Sequence, residues 1–272
     1  SFITKNKIPN ALLFHGNEGI GKFGHALEFC NSILLNNKPK DNIYKQIKTN
    51  QHQNINYILP LPRSKVIKKS DPAIKALSNR DIDNIYNQIL QKLKNPYHKI
   101  SIDKANTILI NSIRDIKKKI SLSLYDNNYN VFIILDAEKL CYPKNEAANA
   151  LLKILEEPND KNFFILITSN KSKLIDTITS RCTKIYFPNI DEKLVKDFFS
   201  NQYNLDHDQM EIITSLCCSD ISSGIELIDN FSEKFDTLNN LIELLFYYDL
   251  GKWQKSMNKL KSKDDFKYFL NL

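Results

Sequence analysis

The fold of this chain is decided by residues 11–22, whose sequence is ALLFHGNEGIGK. The apolar first part predicts a short buried strand over residues 11–15, of the kind found in parallel sheets. Three glycines and a lysine follow: Gly16, Gly19, Gly21 and Lys22. Strand, glycine-rich turn, lysine and helix-forming sequence together predict a P-loop. In that motif backbone N–H groups and a helix N-terminus surround phosphate oxygens, and the lysine reaches the outer phosphates.

The residue after the P-loop lysine departs from the motif. The pattern requires a Ser or Thr hydroxyl there to ligate Mg²⁺, and this chain has Phe23. Phenylalanine has no oxygen to offer a hard cation. The sequence therefore predicts the architecture of a phosphate site without its usual metal chemistry, and it leaves open whether the loop binds nucleotide.

A second candidate functional motif is an acidic residue that follows an apolar run over residues 131–135. Asp136 ends this run, which predicts a central parallel strand with a carboxylate at the sheet edge where α/β proteins bind ligands. After a P-loop, this is the Walker B pattern. In active ATPases of this type a glutamate directly follows the aspartate, whereas here Ala137 follows and Glu138 comes one residue later.

The remaining segments predict an α/β domain followed by helices. Strands are predicted at residues 55–59, 163–169 and 183–187, helices at 81–93, 110–124 and 145–157, and a loop or short insertion at 38–53. Strand signals stop at Pro188, and helices are predicted near 191–201, 207–217, 222–231, 233–249 and 253–270. The domain boundary is therefore expected just after Pro188.

Charge and composition narrow the function classes. The net charge of +7 fits nucleic-acid binding, but the favoured explanation is the bias of an AT-rich genome towards Lys and Asn. The polar side of the helix at 110–124 carries candidate DNA contacts, Arg114, Lys117 and Lys118, which a solvated helix face would also explain. Five cysteines without a C-x-x-C pair predict neither a disulfide framework nor a metal site. No apolar run is long enough to span a membrane and no secretory signal is visible, so a cytoplasmic protein is expected.

Several separated stretches resemble one family. They are residues 8–14 leading into the P-loop, the strand ending at Asp136, ANALLKILEEP at residues 148–158, and TSRC at residues 179–182. Together they resemble the AAA+ clamp-loader subunits of bacterial DNA polymerase III, most closely the delta-prime type. The resemblance implies a five-stranded parallel sheet with flanking helices over residues 1–189, an all-α lid over 190–232, and the start of a truncated helical collar over 233–272.

The resemblance also implies roles for single residues. Arg181 would be an arginine finger acting on the ATP site of a neighbouring subunit; the alternative is a surface salt bridge. Thr168 and Ser169 would lie at the first sensor position, and Ile225 stands where active relatives carry a second sensor arginine. Many delta-prime subunits hold zinc in a four-cysteine insertion, but residues 31–53 contain no cysteine, so no zinc is expected.

The eroded motifs favour a regulatory subunit over a motor. We expect little or no ATPase activity from the chain itself, at most weakly bound ATP or ADP as cofactor, and a place in the DNA polymerase III holoenzyme. Implied partners are gamma/tau-like and delta-like subunits in a pentameric ring, the sliding clamp and primed DNA. The alternative is an active, gamma/tau-like ATPase subunit, which the intact Lys22 and Asp136 would suit.

Overall fold

The computed structural model describes residues 8–34, 40–122, 129–157 and 160–229. The chain divides into two compact units, with the division between Pro188 and Asn189. The predicted boundary between lid and collar, and the collar at residues 233–272, lie outside the described residues.

A parallel sheet of five strands forms the centre of the first unit. The strands are β1 (Ala11–His15), β2 (Ile55–Ile58), β3 (Asn130–Ile134), β4 (Asn162–Thr168) and β5 (Thr183–Tyr186). Their order across the sheet is β2-β3-β4-β1-β5, and every pairing is parallel. This confirms the five-stranded parallel sheet expected from the sequence. In this order the carboxyl ends of β1 and β4 are neighbours, with His15 opposite Thr168.

Helices flank the sheet, and two apolar clusters fill the space between them. The helices are α1 (Lys22–Leu34), α2 (Lys40–Lys48), α3 (Asn79–Lys94), α4 (Ile110–Leu122), α5 (Glu146–Glu156) and α6 (Asp176–Arg181), with 3₁₀ turns at Ala73–Ala76, Ala137–Cys141 and Lys171–Lys173. Side chains alternate along the strands, so Leu12 packs in the cluster with α1 and α3, and Leu13 in the cluster with α4, α5 and α6.

The prediction of a loop at residues 38–53 was wrong, because α2 occupies most of this stretch. Ile47 is 2% exposed and belongs to the same cluster as α1. The stretch is otherwise rich in Lys, Asn and Gln, so its apolar periodicity is too sparse to indicate a helix. Packing of Ile47 against the rest of the core stabilises the helix instead.

The described part of the second unit is helical, as expected. It contains α7 (Glu192–Gln202), α8 (His207–Cys217) and α9 (Ile221–Asp229). The Asp206 carboxylate accepts a 2.7 Å hydrogen bond from the Gln209 backbone N–H, which caps the start of α8. Of the adjacent cysteines, Cys217 is buried and Cys218 is exposed. Among the described residues, no helix combines the length and apolarity needed to cross a membrane.

Candidate functional site

The glycine-rich turn lies at the carboxyl end of β1. Gly16, Gly19 and Gly21 all have positive φ, at 150°, 65° and 87°. At Gly16 a side chain would also collide with the backbone, since a Cβ would lie 2.3 Å from the carbonyl oxygen of Phe187. These positions therefore require glycine, and the turn leads directly into α1 at Lys22.

The P-loop lysine is turned back onto its own loop. Lys22 is 7% exposed, and its Nζ donates a 2.6 Å hydrogen bond to the carbonyl oxygen of Gly16. The same ammonium also donates to the carbonyl oxygen of Asn17. Loop carbonyls thus accept the hydrogen bonds that phosphate oxygens accept in a nucleotide-bound P-loop.

Phe23 belongs to the core and not to a metal site. Its side chain is 5% exposed, and its ring centroid lies 6.2 Å from that of Tyr57 on β2. The Nζ of Lys92, on α3, lies 5.1 Å from the centroid of the Phe23 ring, within the range of a cation–π interaction. The position where the motif requires a hydroxyl is therefore covered by aromatic and cationic side chains.

Lys92 is a component of this site that sequence reasoning missed. Its Nζ donates hydrogen bonds to the carbonyl oxygens of Pro96 at 3.2 Å and His98 at 2.6 Å. Burial lowers the pKa of Lys92 to about 8; the charges of Asp136 and Glu18 oppose this shift and that of Lys22 adds to it. An ammonium group thus lies within electrostatic reach of both the P-loop and the end of β3. The sequence held no signal for it, because Lys92 is one of many lysines on polar helix faces.

Asp136 follows β3 and stands at the sheet edge where the sequence predicted it. Its backbone is left-handed, with φ of 48° and ψ of 51°, and a 3₁₀ turn begins directly after it. Its Oδ2 lies 3.4 Å from Nζ of Lys139, and about half of the side chain is exposed. The turn buries Ala137 completely and directs Glu138 towards β4.

Glu138 meets the predicted sensor residue Thr168. The Thr168 hydroxyl donates a 2.6 Å hydrogen bond to Oε2 of Glu138 and accepts one of 3.0 Å from the backbone N–H of Asn170. Burial raises the pKa of Glu138, and the hydrogen bond from Thr168 opposes that shift. The turn after β3 thus brings together a carboxylate and a hydroxyl that are distant in sequence. Ser169, the other sensor candidate, is exposed.

Arg181 ends α6 and makes contacts within its own chain. Its Nη2 lies 2.7 Å from Oε1 of Glu156 on α5, and its Nη1 donates a 3.0 Å hydrogen bond to the carbonyl oxygen of Thr177. The side chain is 36% exposed. The salt bridge named as the alternative to an arginine finger is thus present, and it lies at the surface.

The basic residues of α4 have mixed surroundings. Arg114 Nη1 donates to the carbonyl oxygen of Lys69 and Lys118 Nζ to that of Ser70, each at 3.1 Å. Lys117 is exposed. Two of the three candidate DNA contacts, Arg114 and Lys118, thus also bind the backbone of residues 69–70, just before the first 3₁₀ turn. Over the ranges described, no three His, Cys, Asp or Glu side chains come together as metal ligands.

Comparison with known proteins identifies similar sequences. The sequence model of the family described as "DNA polymerase III, delta subunit" matches residues 1–191. A delta-prime subunit of DNA polymerase III from Bacillus subtilis is 24% identical over 265 residues, which cover 92% of this chain and 66% of that protein. A delta-prime subunit from Buchnera aphidicola is 35% identical over 167 residues, which cover 61% of this chain and 47% of that protein.

Other relatives carry different subunit names. The tau subunit from Bacillus subtilis is 26% identical over 84% of this chain and 34% of its own length. This chain thus spans between 34% and 66% of these three curated relatives. Among solved structures, a DNA polymerase III gamma subunit-related protein from Thermotoga maritima aligns over 98% of this chain and 68% of its own, with 17% identity and a TM-score of 0.47.

Proposed function

Because the chain belongs to the DNA polymerase III delta-subunit family of AAA+ clamp-loader proteins, we propose that it is a clamp-loader subunit that does not hydrolyse ATP itself and supplies Arg181 to the ATP site of a neighbouring subunit. The observation that carries this proposal is the burial of Phe23 in the core. The Phe23 ring packs against Tyr57 and Lys92 and has no oxygen with which to bind Mg²⁺.

The position of Arg181 supports a role in trans. A guanidinium is always charged and offers several donors, so it stabilises the charge that develops on a transferred phosphoryl group. Arg181 is at the end of a helix and about one-third exposed, so a partner can approach it. Exposed ion pairs contribute only about 0–1 kcal/mol, so the pair with Glu156 presents a small barrier to its release.

The proposed partners are gamma/tau-like and delta-like subunits in a pentameric ring, together with the sliding clamp and primed DNA. Support comes from relatives named tau, gamma and delta-prime. Lys117 is exposed and suits contact with DNA phosphates, which fix the position of a protein on DNA without reading its sequence. This role places the protein in the bacterial cytoplasm.

The test is reconstitution of the loader with its motor subunits, clamp and primed DNA. Arg181→Ala should lower ATP turnover by about tenfold or more without blocking assembly, since arginine fingers supply large rate effects. Lys173→Ala, which changes an exposed lysine just before α6, is the matched control. Unchanged turnover in Arg181→Ala would exclude the finger role.

An active ATPase of the gamma/tau type is the second candidate. Lys22 and Asp136 are present, and Glu138 bonds to Thr168 at the edge of the sheet where hydrolysis would occur. If this candidate holds, the purified chain alone turns over ATP and Lys22→Ala abolishes that turnover. If the first holds, the chain alone is inactive and activity requires the other subunits.

A further inference from the structure

The segment that follows α3 lies across the first turn of α1. We call Lys92 together with residues 95–98 the α3 hook. A Cβ on Gly21 would lie 3.4 Å from the Tyr97 hydroxyl oxygen, and a Cβ on Gly24 would lie 3.5 Å from Cβ of Pro96. Pro96 and Tyr97 are therefore in close contact with the helix N-terminus that a P-loop uses to bind phosphate.

The hook is held in one shape by its own hydrogen bonds. The backbone N–H of Tyr97 donates to Oδ1 of Asn95 at 3.0 Å, and that of His98 to the Asn95 carbonyl oxygen at 2.9 Å. Lys92 then ties the turn to α3 through the carbonyl oxygens of Pro96 and His98. Nε2 of the His98 ring lies 2.9 Å from Oε1 of Gln88, which is one helical turn before Lys92 in α3. These hydrogen bonds fix the conformation of the hook.

The charge of the hook lies over one of the two residue positions that normally hold a divalent cation and interacts electrostatically with the other. In P-loop enzymes Mg²⁺ is bound by the residue after the P-loop lysine and by the aspartate at the end of the Walker B strand. Those positions are Phe23 and Asp136 here. The Lys92 ammonium lies over the Phe23 ring and interacts electrostatically with Asp136 and Glu18.

We propose that the α3 hook is an internal occupant of the P-loop, in which Lys92 takes the place of the divalent cation and Pro96 and Tyr97 cover the surface that a nucleotide would contact. In this arrangement the Lys22 ammonium donates hydrogen bonds to the carbonyl oxygens of Gly16 and Asn17. The space left beside the hook, between α1 and α2, is a cavity of about 240 Å³, below the roughly 300–1,000 Å³ of ordinary ligand pockets. This inference concerns the chain's own P-loop and is independent of the role of Arg181.

Removal of the occupant should open the site. The full chain would be titrated into a fluorescent ATP analogue, with and without Mg²⁺, and binding followed by anisotropy. We expect Tyr97→Ala and Pro96→Gly to bind the analogue at least about tenfold more tightly than the unmodified chain, equivalent to about 1.4 kcal/mol. Tyr86→Ala, which removes a half-exposed tyrosine of α3, should leave binding unchanged.

The cation is tested separately. Lys92→Met keeps an unbranched side chain and removes the charge, and Phe23→Thr restores the hydroxyl. Only the double variant should bind the ATP analogue more tightly when Mg²⁺ is added. Phe23→Thr alone leaves the Lys92 ammonium at the cation position, and Lys92→Met alone leaves that position without a hydroxyl ligand. Mg²⁺-dependent binding by Phe23→Thr alone would overturn the assignment of Lys92.

Amide hydrogen exchange keeps the proposal testable if a variant folds poorly. In the unmodified chain, addition of ATP should leave the exchange rates of the amides of residues 19–24 unchanged. If ATP increases protection there, or if folded Tyr97→Ala gains no affinity, the hook is not an occupant. The effect of Arg181→Ala on loader ATPase does not depend on the outcome of these experiments. The proposal for the hook and the proposal for Arg181 can therefore fail independently.

Discussion

The guanidinium Nη2 of Arg181 lies 2.7 Å from the carboxylate Oε1 of Glu156, so the residue proposed to act on a neighbouring subunit is held by a partner in its own chain. Both side chains are partly exposed, at 36% and 47%. Solvent weakens such pairs, which contribute about 0–1 kcal/mol. Glu156 therefore positions Arg181 at the surface while leaving it available to a stronger anion such as a phosphate.

Replacement of Glu156 separates positioning from catalysis. Glu156→Gln removes the charge but keeps the shape, so loader ATPase should stay within about threefold of the unmodified value and the free energy of unfolding should change by less than about 1 kcal/mol. Steady-state turnover and urea unfolding would measure both. A loss as large as that of Arg181→Ala would mean that the pair itself, and not a free guanidinium, is required.

Phe23→Thr should destabilise the fold without creating an ATPase. The substitution removes a ring that packs against Tyr57 and Lys92 and is 5% exposed, and large-to-small changes of buried aromatic residues cost about 3–5 kcal/mol. Phe23→Leu keeps most of the apolar volume and should cost clearly less. Urea unfolding gives the stabilities and a phosphate-release assay the activity. An unchanged free energy of unfolding in Phe23→Thr would contradict the assignment of Phe23 to the core, and turnover by the isolated variant would contradict the expected lack of ATPase activity.

Thr168→Val should make stability more dependent on pH. It removes the hydrogen bond that lowers the pKa of Glu138, a group whose pKa burial already raises, so the pKa rises further. A carboxyl group whose pKa is higher in the folded chain than in the unfolded chain favours folding most at low pH. This contribution is fully present below the pKa of the unfolded chain and is lost as the pH rises through the pKa of the folded chain. We expect a loss of about 1.5–3 kcal/mol at neutral pH and a smaller one near pH 4. Thr179→Val, whose hydroxyl donates to a backbone carbonyl instead, should show a loss that does not change with pH.

Lys92 should leave a signature at alkaline pH. Its pKa falls from the usual 10.5 to about 8 in the folded chain because of burial. The unfolded chain therefore binds more protons between these two values, and stability rises with pH across that window. The stability difference between the unmodified chain and Lys92→Met, from urea unfolding at several pH values between about 7 and 10, should shift in favour of lysine as pH rises. Parallel curves would show that Lys92 titrates normally.

Gly224→Ala tests the packing of the second unit. A Cβ at Gly224 would lie 2.3 Å from Cζ of Phe199, a ring that is fully buried. Alanine favours a helix over glycine by about 1 kcal/mol, but overpacking costs about 1–3 kcal/mol, so a net loss is expected. Ser222→Ala on the same helix is the control, and Phe199→Leu combined with Gly224→Ala should recover stability. A gain in hydrogen-exchange protection of α9 in Gly224→Ala would contradict the close approach.

Much of the fold could be predicted because its signals are local. The strands are short apolar runs, and the P-loop is a spacing of glycines before Lys22. The exception was α2, where Ile47 is among the few apolar residues of a polar stretch and gains its stability from the core. The three helices that the structure describes in the second unit begin and end within about two residues of their predicted bounds, since their apolar periodicity is regular.

The sequence by itself determined the α/β architecture, the position of the P-loop and the loss of its metal ligand at Phe23, because each depends on residues close together in the chain. The tertiary structure alone decided what surrounds those residues: Lys92 over Phe23, Tyr97 against Gly21, Thr168 bonded to Glu138 and Arg181 paired with Glu156. Each of these contacts joins different elements of the fold. Their formation depends on how helices and strands pack, and no periodicity within a single segment records that.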